Sequence, residues 1–111
     1  MKYLVVDGMF RGTGIRDGAN GGYLEPEEIS LSAELSFRLT NWLAEYEAEH
    51  YRGYANESLI RTLDQEGKKI ALAIYQEIPD LKMAYYSDAY LAKEELMTSS
   101  IDGSLFWSKI G

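Results

Sequence analysis

The first apolar run, KYLVV at residues 2–6, barely alternates, which is the pattern of a short buried strand. From residue 35 the rhythm changes. Leu35, Leu39, Trp42, Leu43 and Tyr46 stand at i, i+4, i+7, i+8 and i+11, one face of an amphipathic helix. Ser32 is placed to cap it, and Glu34 sits in the first turn, where the helix dipole favours an anion. The predicted helix covers 32–51 and stops near Gly53. A second helical pattern follows in Ile60, Leu63, Gly67, Ile70, Ala71, Ile74 and Ile78. Two starts fit it. Either Asp64 caps a helix after a short turn at 57–62, or the helix begins near Asn56 and tolerates Gly67 at a cost of about 1 kcal/mol. The adopted reading is a main helix over 64–77, ended by Pro79.

KMAYYSD (82–88) alternates as a strand, with Met83 and Tyr85 on one side and Ala84 and Tyr86 on the other. YLAKEELM (90–97) reads as a short helix or a loop. SLFWSKI (104–110), introduced by the turn IDG, reads as a final strand or a docked tail. Two strands about seventy residues apart, with two helices between them, predict a sheet covered by helices on one face. The expected fold is α+β and two-layered: a three- or four-stranded sheet covered by helices at 32–51 and 64–77, in a single domain, 1–111.

Charge sharpens this picture more than composition does. The net charge of −7 is unevenly spread. Residues 1–23 hold three cations and two anions, giving +1. Residues 24–57 hold eight glutamates (25, 27, 28, 34, 45, 47, 49 and 57) against Arg38 and Arg52, giving −6. The remainder holds six cations and eight anions, giving −2. Such a surface repels nucleic acid and attracts basic proteins, although a glutamate-rich helix face also arises from solubility alone. The chain has no cysteine, which excludes disulfides, thiol catalysis and thiolate metal sites. The N-terminal apolar run is too short for a signal peptide or a membrane span, so the expected location is cytoplasmic, with no membrane partner.

The most suggestive motif for chemistry is GMFRGTGIRDGANGG (8–22), a glycine-rich loop behind a strand. Gly12, Gly14 and Gly18 spell G-x-G-x-x-x-G, one residue off the dinucleotide fingerprint. That fingerprint needs a helix beginning at the loop, and ANGGYLEPEE cannot supply its first turns. The G-K-[ST] of a phosphate-binding loop is also missing. The loop is read instead as an Ω-like excursion or a glycine-bulged hairpin around RGTGIRD, open to contact with a partner. Glu47 and His50 have the Glu-x-x-His spacing of di-iron bundles, but His50 is the sole histidine and a second copy cannot exist. No G-x-S-x-G elbow accompanies a serine. Asp7 and Asp88 end the two predicted strands and are read as turn residues that share a strand-end position. The expectation is therefore no enzyme, no cofactor and no metal.

Tyrosine is abundant, nine in all, and supplies large rigid contact area with a polar tip. Tyr51 and Tyr54 flank the first helix stop in HYRGYANES, where burial is hard to arrange. Together with Glu45, Glu47 and Glu49 they form the predicted partner-binding set. Residues 29–88, through ISLSAELSFRLTNWLAEYEAEHY and LDQEGKKIALAIYQEIPDLKMAYYSD, resemble the small acidic immunity proteins of bacterial contact-dependent and polymorphic toxin systems in size, acidity and layout. The resemblance implies a cytosolic inhibitor that plugs the active site of a basic toxin domain, often a nuclease, by charge complementarity. Two other classes stay open. One is an adaptor that binds a basic protein or self-associates as a homodimer through Trp42 and its neighbours. The other is a small ligand-binding enzyme using Asp7, Asp88 and the glycine loop.

Overall fold

The computed structural model describes residues 2–110. In chain order the elements are β1 (Lys2–Asp7), β2 (Ile15–Asp17), a short 3-10 helix (Pro26–Ile29), α1 (Ala33–Tyr51), α2 (Glu57–Glu77), β3 (Leu81–Ser87), β4 (Ala92–Thr98) and β5 (Leu105–Lys109). The sheet order is β2-β1-β3-β4-β5. β1 and β3 run parallel, and the other neighbours are antiparallel. Parallel pairing of β1 with β3 requires a crossover, and the two helices provide it on one face of the sheet. The architecture is α+β, as the alternation of strand and helix patterns predicts.

The period of each element decides which side chains meet. Leu4 and Val6 of β1, Ile15 of β2, and Met83 and Tyr85 of β3 face the helices. Leu35, Leu39, Trp42 and Tyr46 of α1, and Ile60, Leu63, Ile70, Ala71 and Ile74 of α2, close the core from above. Among the described residues no helix covers the opposite sheet face; there Val5 and Ala84 are buried, while Lys82 and Lys93 lay their ammonium groups 4.8 and 5.1 Å from the Tyr3 ring centroid. Among the described residues no helix is long and apolar enough to cross a membrane.

Three expectations need correction. The sheet has five strands, not three or four. AKEELMT (92–98) is neither helix nor loop but strand β4, paired between β3 and β5. The second helix starts at Glu57, seven residues before the adopted start at 64, with Asn56 as its cap: the Asn56 side chain accepts from Leu59 N–H at 3.1 Å. Gly67 does not interrupt it. A Cβ there would stand 2.7 Å from the Trp42 ring and closer still to the Tyr85 ring. Glycine lets α2 sit against both aromatics, and packing outweighs its low helix propensity. The alternative of a hairpin in the glycine loop holds: β1 and β2 pair antiparallel around Gly8–Gly14.

Candidate functional site

The parallel β1–β3 pair brings Asp7 and Asp88 to the same end of the sheet, where open sheets of this kind place their ligands. Asp7 is fully buried and heavily engaged. It accepts from Arg16 Nε at 3.0 Å, from the Tyr23 hydroxyl at 2.9 and 3.0 Å, and from Met9 N–H at 3.3 Å. Arg16 also donates to the Tyr23 hydroxyl at 2.7 Å and lies over that ring. Burial first, then the Asp7 carboxylate, pushes the Tyr23 pKa up, so its proton stays in this network. Arg16 is thus spent on fixing the glycine loop to β1, and the loop leads into β2 rather than into a helix N-terminus.

A second buried carboxylate, Asp64 of α2, closes the same end from the helix side. Its Oδ1 accepts from the hydroxyls of Tyr46 at 2.9 Å and Tyr85 at 2.6 Å, and its Oδ2 accepts from Ser87 at 2.7 Å. Those hydroxyls serve twice: Tyr46 accepts from Ala89 N–H and Ser87 from Tyr90 N–H, both at 3.2 Å. One side chain therefore ties α1, α2, β3 and the loop after β3 together. Desolvation raises the pKa of Tyr46 and Tyr85, which keeps both as donors. Sequence reasoning placed Asp64 as a helix cap; its position between Leu63 and Gly67 on the apolar stripe was the signal for a buried role.

Asp88 stands between the two networks. It is half-buried, its Oδ1 has no hydrogen-bond partner among the described residues, and its pKa is pushed up to about 6, chiefly by desolvation and then by Asp7. Such a carboxyl has the acidity of a general acid or base. Among the described residues no group of three histidine, aspartate or glutamate side chains can hold a metal ion.

The predicted partner-binding residues do not form one patch. Glu45 is exposed, Glu47 partly so, and Tyr51 is 72% exposed. Glu49 is 1% exposed, on the core side of α1 with Trp42 and Tyr46, and is ion-paired to Arg52. Tyr54 is half-buried, edge-on to Tyr46, with its hydroxyl 3.2 Å from His50 Nδ1. The glycine loop joins this end of α1. Phe10 stacks on His50 with ring centroids 5.0 Å apart and meets Tyr51 edge-on at 5.3 Å. Gly8 permits the approach, since a Cβ there would stand 2.5 Å from the Tyr46 ring. The sequence could not show that Phe10 arrives here.

The outward side of α1 carries an apolar ridge that sequence reasoning missed. Ala33, Phe37, Ala44, Ala48 and Tyr51 follow at i, i+4, i+11, i+15 and i+18, and Phe37 is 71% exposed. At 3.6 residues per turn, Glu34 and Glu45 lie along one flank of the ridge and Glu47 along the other. The cations of this region are engaged elsewhere: Arg38 pairs with Glu66 of α2 at 2.6 Å, and Arg52 with Glu49. Among the described residues, Glu25, Glu27, Glu28, Glu34, Glu45 and Glu47 have no cationic partner.

Comparison with known proteins adds nothing to this geometry. The chain matches no family model, no curated protein and no solved structure.

Proposed function

We propose that the protein is an acidic binding module that docks a basic protein on the outer face of α1. In its specific form it is a cytosolic immunity protein that occludes the active site of a basic toxin domain, as the resemblance in residues 29–88 implies. The observation that carries this reading is the solvent-facing ridge of Phe37, Ala44, Ala48 and Tyr51 between carboxylates that have no cationic partner among the described residues. Folding alone does not require it. An exposed Phe and Tyr give the desolvated anchor that holds a complex, and the flanking glutamates steer an oppositely charged partner to it. The cluster of Phe10, His50 and Tyr51 extends the anchor with pre-ordered rings.

The test begins with basic proteins captured from the producing organism and continues with binding kinetics on the best binder at two salt concentrations. Association slows steeply as salt rises, and Tyr51→Ala or Phe37→Ala speeds dissociation while leaving association almost unchanged. If the partner is a toxin, its activity falls in proportion to complex formed. Salt-independent association, or tyrosine and phenylalanine variants that dissociate like the wild type, would refute the assignment to this face.

A further inference from the structure

The two edges of the sheet are finished differently. At one edge β2 is three residues long and the chain itself folds over it: Asp17 N–H donates to Gly22 C=O and Leu24 N–H to Ile15 C=O, both at 2.9 Å, and Arg16 bridges to Tyr23. At the other edge lies β5. Ser99 N–H donates to Ser104 C=O at 2.7 Å, and Ile110 N–H to Lys93 C=O at 3.1 Å. Amides alternate along an antiparallel strand, so Phe106, Ser108 and Ile110 turn theirs toward β4, while Ser104 turns its carbonyl that way and gives its N–H to Asp102 Oδ1 at 3.0 Å. Leu105, Trp107 and Lys109 turn theirs outward, and no backbone hydrogen bond among the described residues takes them up. An open, apolar edge of this kind is a template for another strand.

From this edge we infer that the chain self-associates, two copies pairing β5 against β5 antiparallel about a two-fold axis at Trp107, so that two five-stranded sheets become one. The register follows from the three outward residues. Centring on Trp107 sets Leu105 against Lys109 of the second copy and Trp107 against its equivalent, so every outward amide and carbonyl finds a partner. A slip of two residues strands one residue on each side. The interface is isologous and closes at two copies. Charge also favours a second copy here over the basic partner. Residues 89–110 hold Lys93 and Lys109 against Glu94, Glu95 and Asp102, a sum of −1, and Lys109 has Glu94 as its cross-strand neighbour. The acidic α1 lies over the far end of the sheet, where its Leu39 and Tyr46 meet Gly14 and Gly8, so pairing at β5 keeps the two −6 segments apart. The α1 face stays free on each copy.

Sedimentation equilibrium on the full chain tests this, using the register as the discriminating variable. The wild type sediments as a dimer of 12.6 kDa chains at about 100 micromolar. Leu105→Lys sets lysine against the partner's Lys109, and Leu105→Glu sets glutamate there. The two variants lose the same apolar contact, yet the lysine variant dissociates about tenfold more readily than the glutamate variant. Leu105→Pro, which removes an outward N–H and leaves the β4 ladder intact, gives a monomer with unchanged circular dichroism. A wild-type monomer at that concentration, or lysine and glutamate variants with equal dissociation constants, would overturn the inference. The lysine–glutamate comparison stands even if the proline variant misfolds.

Discussion

The two helices bury similar faces and present opposite ones. Inward, α1 sets Leu35, Leu39, Trp42 and Tyr46 into the core, and α2 sets Ile60, Leu63, Ile70, Ala71 and Ile74 beside them. Outward, the acids of α2 are taken up by other groups of the chain. Arg61 pairs with Glu57 at 2.6 Å and Glu66 takes Arg38 of α1, Glu77 accepts from Ser32 N–H at 2.8 Å, and Lys68 pairs with Glu94 of β4. The outer face of α1 has an aromatic and alanine ridge and glutamates left unmatched. α2 shows what solubility requires of an exposed helix in this protein. The surplus on α1 is what the proposed function explains.

The sharpest way to break the comparison is to exchange inner and outer positions on α1 itself. Leu39→Ala, at a fully buried site, lowers stability by about 2–5 kcal/mol in denaturant unfolding. Phe37→Ala, two residues away and 71% exposed, changes it by less than about 0.5 kcal/mol. A large loss at Phe37 would mean that the ridge belongs to the core. On α2, Gly67→Ala drives a methyl into Trp42 and Tyr85 and lowers stability by about 1–3 kcal/mol, although alanine is the better helix former. A stabilised variant would show that the close approach of α2 to those rings is wrong.

A smaller effect is expected at the sheet end. Asp88 has a folded pKa of about 6, raised from its ordinary value of 3.8. The native state therefore holds more protons than the unfolded one between those values, and stability falls as pH rises through that window. Asp88→Asn removes the cost of the ionised form, raising stability at pH 7.5 by about 1 kcal/mol once solvent screening of a half-exposed carboxyl is allowed for, with little change at pH 4. Equal gains at both pH values would mean that ionisation of Asp88 is not the cause.

Local pattern revealed much of this fold. α1 was legible to within a residue because an apolar stripe, the Ser32 cap and a stop near Gly53 agree; the Ser32 hydroxyl accepts from Leu35 N–H at 3.2 Å. β1 and β3 were legible from their short apolar or alternating runs, while 104–110, which reads as either a strand or a docked tail, is strand β5. β4 was not legible, because Lys93, Glu94, Glu95, Leu96 and Met97 favour helix locally and become strand only between β3 and β5. The start of α2 was hidden by Gly67, whose reason lies in Trp42 and Tyr85, one on α1 and one on β3. At the site, Glu45, Glu47 and Tyr51 were legible as a charged, aromatic helix end. Glu49 was grouped with them by charge, although its spacing of seven from Trp42 and three from Tyr46 put it on the inner side. Phe10 reaches His50 through a loop and a whole helix, a contact that no local pattern carries.

The measurement that bears most directly on the α1 face compares two variants of equal charge. Glu45→Gln with Glu47→Gln, on α1, and Gln65→Lys with Gln76→Lys, on α2, each raise the net charge by two. Association with the basic partner is followed for both at low salt. If the α1 face steers and docks the partner, the α1 variant associates about tenfold more slowly and loses much of its salt dependence, and the α2 variant stays near the wild type. Equal slowing of both variants would show that only net charge matters, and the unmatched glutamates of α1 would then be no more than a solvated face.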